Sequence, residues 1–224
     1  MSRRIALGIA GALALASPAS ATIITTDPSL PPTTGEYRTS VDVHAEYPVG
    51  SSMLALETVR HFGFTNIVRH EVGPDEIEQF DSIVMGDVFL NSSFLGSITM
   101  TGPVSTLVEG KVGNTVGTFD TEMLSMSLSG TLGMIQVLVR ESPTLASTGS
   151  TRITDLGAGL YQIDSFFDVF TELSLDGGAS WIPSSTGPAH VTLEPLVPEP
   201  GALALLAAGL LVLRLSRRAG PVTP

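Results

Sequence analysis

There is no cysteine in the 224 residues, so disulfides, thiolate metal sites and a cysteine nucleophile are excluded, and stability must come from burial. Basic side chains are scarce, with 11 Lys and Arg against 22 Asp and Glu. Five of the 11, Arg3, Arg4, Arg214, Arg217 and Arg218, lie in the terminal segments. The body over residues 22–196 is left with six basic and 21 acidic residues, a net charge of −15. That sign argues against nucleic acid, whose phosphates need Lys and Arg to displace counterions, and against anionic lipid. Aromatics are also sparse, one Trp and three Tyr. They make a poor platform for the sugar ring that a paired-carboxylate glycosidase holds between its two acids.

Catalytic signatures are missing too. No serine sits in Gly-x-Ser-x-Gly, and there is no phosphate loop, dinucleotide fingerprint or His-Glu-x-x-His. His44, His61, His70 and His190 form no i,i+4 pair. The expectation is therefore a protein that is not an enzyme, with no catalytic residue, no metal site and no cofactor. Calcium is the alternative, because Glu141, Asp155, Asp164, Asp168, Glu172 and Asp176 make the C-terminal half of the body acid-rich and calcium takes oxygen ligands of this kind. No Asp-x-Asp-x-Asp-Gly loop accompanies them, and charges on strands also serve to keep sheet edges apart.

The two ends carry the strongest patterns. Arg3 and Arg4 precede an apolar run over residues 5–16, Ser17-Pro18 breaks it, and Ala19-Ser20-Ala21 supplies small residues. This order is that of a secretory signal peptide, with cleavage expected after Ala21. At the other end Pro198-Glu199-Pro200 is followed by residues 201–213 without a polar side chain, then by Arg214, Arg217 and Arg218. Thirteen helical residues cover roughly 20 Å, short of a hydrocarbon core of roughly 30 Å. The span suits a temporary anchor, and the arginines at both ends would stay cytoplasmic, leaving the body outside. The two prolines hold the chain around Glu199 extended and without backbone donors, so the carboxylate stands free as a recognition handle.

Between the ends, a Pro-rich arm over residues 22–36 leads into a β domain over residues 37–196. Val41, Val43, Ala45 and Tyr47 alternate with polar residues at the period of two that marks a half-buried strand. Similar runs recur to residue 193, punctuated by Gly, Pro, Asn and Asp. Residues 51–61 read as one short helix and 75–80 as a turn. The whole is an all-β fold, an antiparallel β-sandwich or partly closed barrel of about nine strands, flanked by the N-terminal signal helix and a short C-terminal transmembrane helix. Phe166, Phe167, Val169 and Phe170 read as core of the final hairpin. Ser174, Asp176, Gly178 and Trp181 match Ser-x-Asp-x-Gly-x-x-Trp, and Asp176-Gly177 is a strong hairpin signal. This segment resembles the Asp-box, a turn found in sialidases and other propellers and also singly in unrelated β proteins. Its role there is structural, and the same is expected here.

The C-terminal pattern of Pro198, Glu199 and Pro200, a short apolar run over 201–213 and an Arg tail over 214–218 resembles the PEP-CTERM sorting signal, here residues 197–218 with a tail at 219–224. The resemblance implies processing by an exosortase-type enzyme in a Gram-negative-type bacterium that makes exopolysaccharide. The chain would pass through an inner-membrane intermediate to the cell surface or the extracellular space. Residues 117–125 and 141–178 resemble a group of PEP-CTERM proteins to which no activity attaches. The implied partners are signal peptidase, the processing enzyme and, as an alternative ligand, extracellular polysaccharide. The expected biochemical role is that of a non-catalytic surface or matrix protein, with a calcium- or polysaccharide-binding module as the alternative and a secreted hydrolase last. Mass spectrometry of the mature protein should find Thr22 at its N-terminus and a C-terminus close to Pro198-Glu199-Pro200. Intact ends at Met1 and Pro224 would remove both signals.

Overall fold

The computed structural model describes residues 22–39 and 45–196. The signal segment with Ala19 and Ala21, and the sorting segment with Pro198, Glu199, Pro200, Arg214, Arg217 and Arg218, lie outside the described residues, as do both flanking helices expected there. Within the described residues every regular element is a strand. In chain order these are β1 (Ile23–Thr25), β2 (Gly35–Thr39), β3 (Ala45–Val49), β4 (Ser52–Val72), β5 (Asp75–Leu90), β6 (Ser93–Val108) and β7 (Gly117–Leu132). They continue as β8 (Ile135–Glu141), β9 (Ser147–Gly157), β10 (Leu160–Val169), β11 (Thr171–Ser174), β12 (Ile182–Pro183) and β13 (Ala189–Pro195).

All pairings are antiparallel, and they run in a ring. β4 pairs with β5, β5 with β6, and β6 with β7. β7 then pairs with β8 along its second half and with β9 along its first. β10 and β11 follow on β9 and β8 in the same way, and β13 and β12 on β10 and β11. The circuit closes where β13 pairs with β2, Pro195 opposite Gly35 and Val191 opposite Thr39. β2 and β3 both lie along β4, and Ser185 N–H donates to the Glu46 carbonyl at 2.8 Å beside them. Thirteen strands thus make eight long staves of one closed meander. Closure leaves no long unpaired edge, which answers in the backbone the problem that edge charges answer in side chains. β1 adds a short ladder on β10 beyond the end of β13.

The seam is also braced by charge. Glu36, almost fully buried, accepts from Arg38 Nε and from Arg60 Nε and Nη2, the latter two at 2.8 and 2.6 Å. Inward positions along the staves are apolar, for instance Ile98, Met100, Val104, Leu128, Val139, Ile153, Ile163 and Leu193. Outward positions on β6 and β7 include Thr99, Thr101, Ser127, Ser129 and Thr118, all exposed, with Leu124 an apolar exception. This polarity is the reverse of a barrel whose outer face meets lipid. Each fully buried side chain of Ile or Leu size contributes roughly 1.5–3 kcal/mol, and in a closed barrel that contribution is collected in the lumen.

Three departures from the sequence reading have physical causes. Residues 51–61 are not helical: Ser51 ends the turn before β4 and residues 52–61 are extended in β4. The ladder to β5 shifts between Glu57 and Arg60, where Thr58 has φ 50°, and again near Gly63 and Asn66. Each bulge inserts a residue, so inward residues such as Leu56 and Val59, or His61 and Phe64, fall three apart and imitate helical spacing. Residues 75–80 are the start of β5, and the turn before them is Gly73-Pro74. Phe167 and Val169 are core, but Phe166 points outward against His190, with ring centroids 5.4 Å apart. The arm over residues 22–36 is built into the fold through β1 and through Leu30, which is buried.

Strands β6 and β7 approach closely at two inward glycines. A Cβ on Gly102 would stand 1.9 Å from the Ser127 carbonyl oxygen, and one on Gly130 2.4 Å from that of Thr99. These contacts are with backbone, so relief requires the staves to part. Gly102→Ala is expected to cost more than about 2 kcal/mol. Gly50→Ala, at an open turn with φ 61°, should cost about 1 kcal/mol. Urea titration of both variants tests this, and equal losses would contradict the close-approach account.

Candidate functional site

An up-and-down meander places alternate turns at opposite ends. One end carries the turns at Gly50-Ser51, Asn91-Ser92 and Gly133-Met134 and the loop over residues 175–181. The other carries the turn at Gly73-Pro74, the loops over 109–116 and 157–159, and both described chain ends, which meet where Leu196 N–H donates to the Thr34 carbonyl. The lumen differs between these ends, and the difference defines the candidate site.

At the first end lies a cavity of about 220 Å³, walled by Leu54, Leu56, Val88, Leu90, Ile98, Leu132, Val137 and Leu173 among others. Every lining residue is aliphatic or methionine except Tyr47, whose hydroxyl lies 2.7 Å from Thr171 Oγ1 and whose pKa burial pushes up to about 12. Leu95 and Ile135 line the cavity and are half exposed, with Phe94 and Met134 beside them on the same turns, also exposed. The mouth is therefore rimmed as well as walled by apolar groups. Below it a smaller space of about 60 Å³ is lined by Met100, Met123 and Met126.

The lumen ends in a third space of about 30 Å³ with a different character. His61 from β4, Glu78 from β5, Thr106 from β6, Thr121 from β7 and Thr151 from β9 all face it, and Leu30-Pro31 closes it from below. Arg69 holds that closing segment, donating from Nε and Nη2 to the Leu30 carbonyl at 2.9 and 2.6 Å. On one wall Tyr37 OH donates to Ser165 Oγ at 3.0 Å, and Ser165 Oγ lies 2.7 Å from Thr151 Oγ1. Thr106 Oγ1 donates to Glu78 Oε2 at 3.3 Å. Three buried polar atoms in this space have no hydrogen bond: His61 Nε2, Glu78 Oε1 and Thr121 Oγ1. A buried polar atom without a partner costs about 1–3 kcal/mol, and three of them around one cavity leave hydrogen-bonding capacity that a water or a polar guest would satisfy.

Burial sets the charges here. It raises the Glu78 pKa to about 8, with the Glu76 carboxylate adding to the shift and Arg69 opposing it. Burial lowers His61 to about 4. At neutral pH both are uncharged, so the chamber offers donors and acceptors without net charge. Neither residue was legible as a site in the sequence. The only available signal was that each falls on the inward parity of its strand, which bulges and a misread turn concealed.

The residues expected to form the Asp-box turn sit together. Ser174 Oγ donates to Asp176 Oδ1 at 2.8 Å, Ser180 N–H donates to the same oxygen at 2.9 Å, and Gly178 N–H donates to Ser174 Oγ at 2.9 Å. These bonds, led by Ser180, hold the Asp176 carboxyl down at about 2. Gly178 has φ 92°, and the Trp181 ring is covered by the Arg140 guanidinium at 4.0 Å, so that face is closed to a sugar. Of the acids considered for calcium, Asp168 pairs with His190 at 2.7 Å, Glu172 with Arg140 at 2.7 Å, and Glu141 accepts from Ser147. No group of three or more His, Asp or Glu able to hold a metal ion is found among the described residues. No family model matches the chain, and no curated protein or solved structure matches it either.

The two shifted groups act on stability in opposite directions. Glu78 binds its proton more tightly folded than unfolded, so its contribution is full below pH 4.5 and is lost as pH rises to about 8. His61 binds its proton more weakly folded, so its contribution is full above pH 6.5 and is lost as pH falls to about 4. Between pH 4.5 and 6.5 the slopes oppose each other. Above 6.5 only Glu78 remains. Tm should be nearly flat from about pH 4.5 to 6.5 and then fall to pH 8, by up to ~1.4 kcal/mol per unit. In His61→Phe the fall should begin near pH 4.5, and in Glu78→Gln it should vanish. Circular-dichroism melts read this directly, and a wild-type Tm that climbs between pH 6.5 and 8 would contradict the assignment.

Proposed function

We propose that the chain is an exported, non-catalytic surface protein whose barrel holds a small apolar molecule, taken in through the rim formed by Phe94, Leu95, Met134 and Ile135. The observation that carries this reading is the cavity of about 220 Å³ with its apolar wall and mouth. A dry cavity of about 150 Å³ lined by aliphatic side chains is already enough to bind benzene, and eight staves leave room for side chains or one small ligand. The export half of the reading rests on the signal segment and on the resemblance of the last residues to a PEP-CTERM signal, with signal peptidase and an exosortase-type enzyme as the processing partners. The fold is compatible with it in one respect: residues 22 and 196 leave from the end opposite the mouth.

The neutral probe N-phenyl-1-naphthylamine, titrated into the full exported chain, should show saturable fluorescence enhancement with one equivalent bound. Leu132→Trp, which fills the cavity from β7, should weaken it at least about tenfold while leaving the circular-dichroism spectrum unchanged. Enhancement that never saturates, or that ignores Leu132→Trp, would remove the container reading.

A further inference from the structure

If the barrel holds an apolar molecule, the far end of the lumen says more about what that molecule is. The polar chamber and the mouth cavity lie on either side of the middle space and are parted from it by side chains alone. The middle space shares His61, Met123 and Val191 with the chamber and Tyr47, Leu56, Met100 and Val139 with the mouth cavity. Methionine is unbranched and changes rotamer readily, so the narrow middle is lined by the side chains best able to yield to an inserted chain.

We propose that the ligand is a long-chain molecule ending in a small uncharged group that both donates and accepts hydrogen bonds, a primary alcohol being the simplest. Its head lies among His61, Glu78 and Thr121, and its tail fills the apolar mouth. The argument rests on three independent constraints. First, His61 Nε2, Glu78 Oε1 and Thr121 Oγ1 lack partners, and their residues are only 7%, 2% and 4% exposed, so the head must offer hydrogen bonds. Second, the chamber of about 30 Å³ exceeds the ~10–15 Å³ that one water needs but leaves no space for a large headgroup. Third, the group must be neutral. An anion would face Glu78 with Glu76 next inward on β5, and a cation would exchange water for a chamber otherwise walled by Leu30, Phe64 and Phe80. The chamber's own acid and imidazole are uncharged at neutral pH, which matches a neutral guest. Length follows from the strand: Glu78 and Val88 are ten residues apart on β5. At ~3.3 Å per residue and a tilt of ~35–45°, that is roughly 25 Å along the axis, so an extended chain needs on the order of 16 carbons to enter the mouth cavity and about 20 to reach Val88.

The test uses competition against bound N-phenyl-1-naphthylamine on the full exported chain at pH 7, with 1-hexadecanol, hexadecane and hexadecanoate each delivered from cyclodextrin. Hexadecanol should bind at least about tenfold more tightly than hexadecane, the equivalent of one or two satisfied buried hydrogen bonds. Thr121→Val and His61→Phe should each lower the alcohol-to-alkane affinity ratio toward one. Equal binding of alcohol and alkane would overturn the head-group inference while leaving the apolar container intact. Tightest binding by hexadecanoate would overturn the neutrality of the head. Failure of all three to displace the probe would place the probe elsewhere and remove the container reading itself. The wild-type alcohol-to-alkane ratio needs no variant, so the inference stays open to refutation even if a substitution in the chamber unfolds the protein.

Discussion

Pairing of β13 with β2 converts a long meander into a ring, and most of the molecule's other properties descend from that closure. Once the ring is shut, every stave has a neighbour on both sides. The outward face can then be rich in Ser and Thr, and the buried apolar side chains gather in one core. The closing ladder is short, five residue pairs from Thr39 to Gly35. Side chains reinforce it: Glu36 gathers Arg38 and Arg60 across β2 and β4, and Tyr37 reaches past β13 to Ser165 on β10. Closure also fixes the lumen's width, so inward residues either fill it or leave defined gaps. The three gaps found are graded from a wholly apolar mouth to a polar floor.

That grading arises from single positions on neighbouring staves. On β5 the inward residues run Leu90, Val88, Gly86, Val84, Ser82, Phe80, Glu78, and on β7 they run Leu132, Gly130, Leu128, Met126, then Met123, Thr121, Phe119. Apart from Ser82 at the middle of β5, polar side chains enter these series only near the closed end. There the Leu30-Pro31 segment, held by Arg69, excludes solvent. Water exclusion is what makes Glu78 hold its proton and His61 refuse one. The charge state of the floor is therefore set by a segment that belongs to no stave.

Much of the β character was readable from residues alone because alternation is local. The turn around Asp176 was readable for the same reason, since all its hydrogen bonds fall within four residues. The rest depended on information that alternation does not contain. The first of three bulges in β4, between Glu57 and Arg60, shifts the inward parity, so residues 51–61 imitate a helix. Phe166 was read as core because an apolar side chain beside Phe167 looks buried until the register assigns them to opposite faces. The polar floor was hidden most completely: it joins residues from seven staves, and its longest hydrogen bond in sequence links Tyr37 to Ser165 across 128 positions. His61 and Glu78 acquire meaning only when the ring brings them to one cavity, and no spacing rule connects them.

The position of the chain ends has a mechanical side. Residue 196 leaves at the last rung of the ladder between β13 and β2, with Leu196 bonded to Thr34 just beyond it. A force drawn through the C-terminal segment meets that ladder at its end, where bonds load one after another and do not share the strain. The barrel would open as a zip from the floor upward, and Leu193, a lumen residue on β13, would be drawn out early. Whatever holds this body by its C-terminus thus grips it at the seam on which the closed lumen depends.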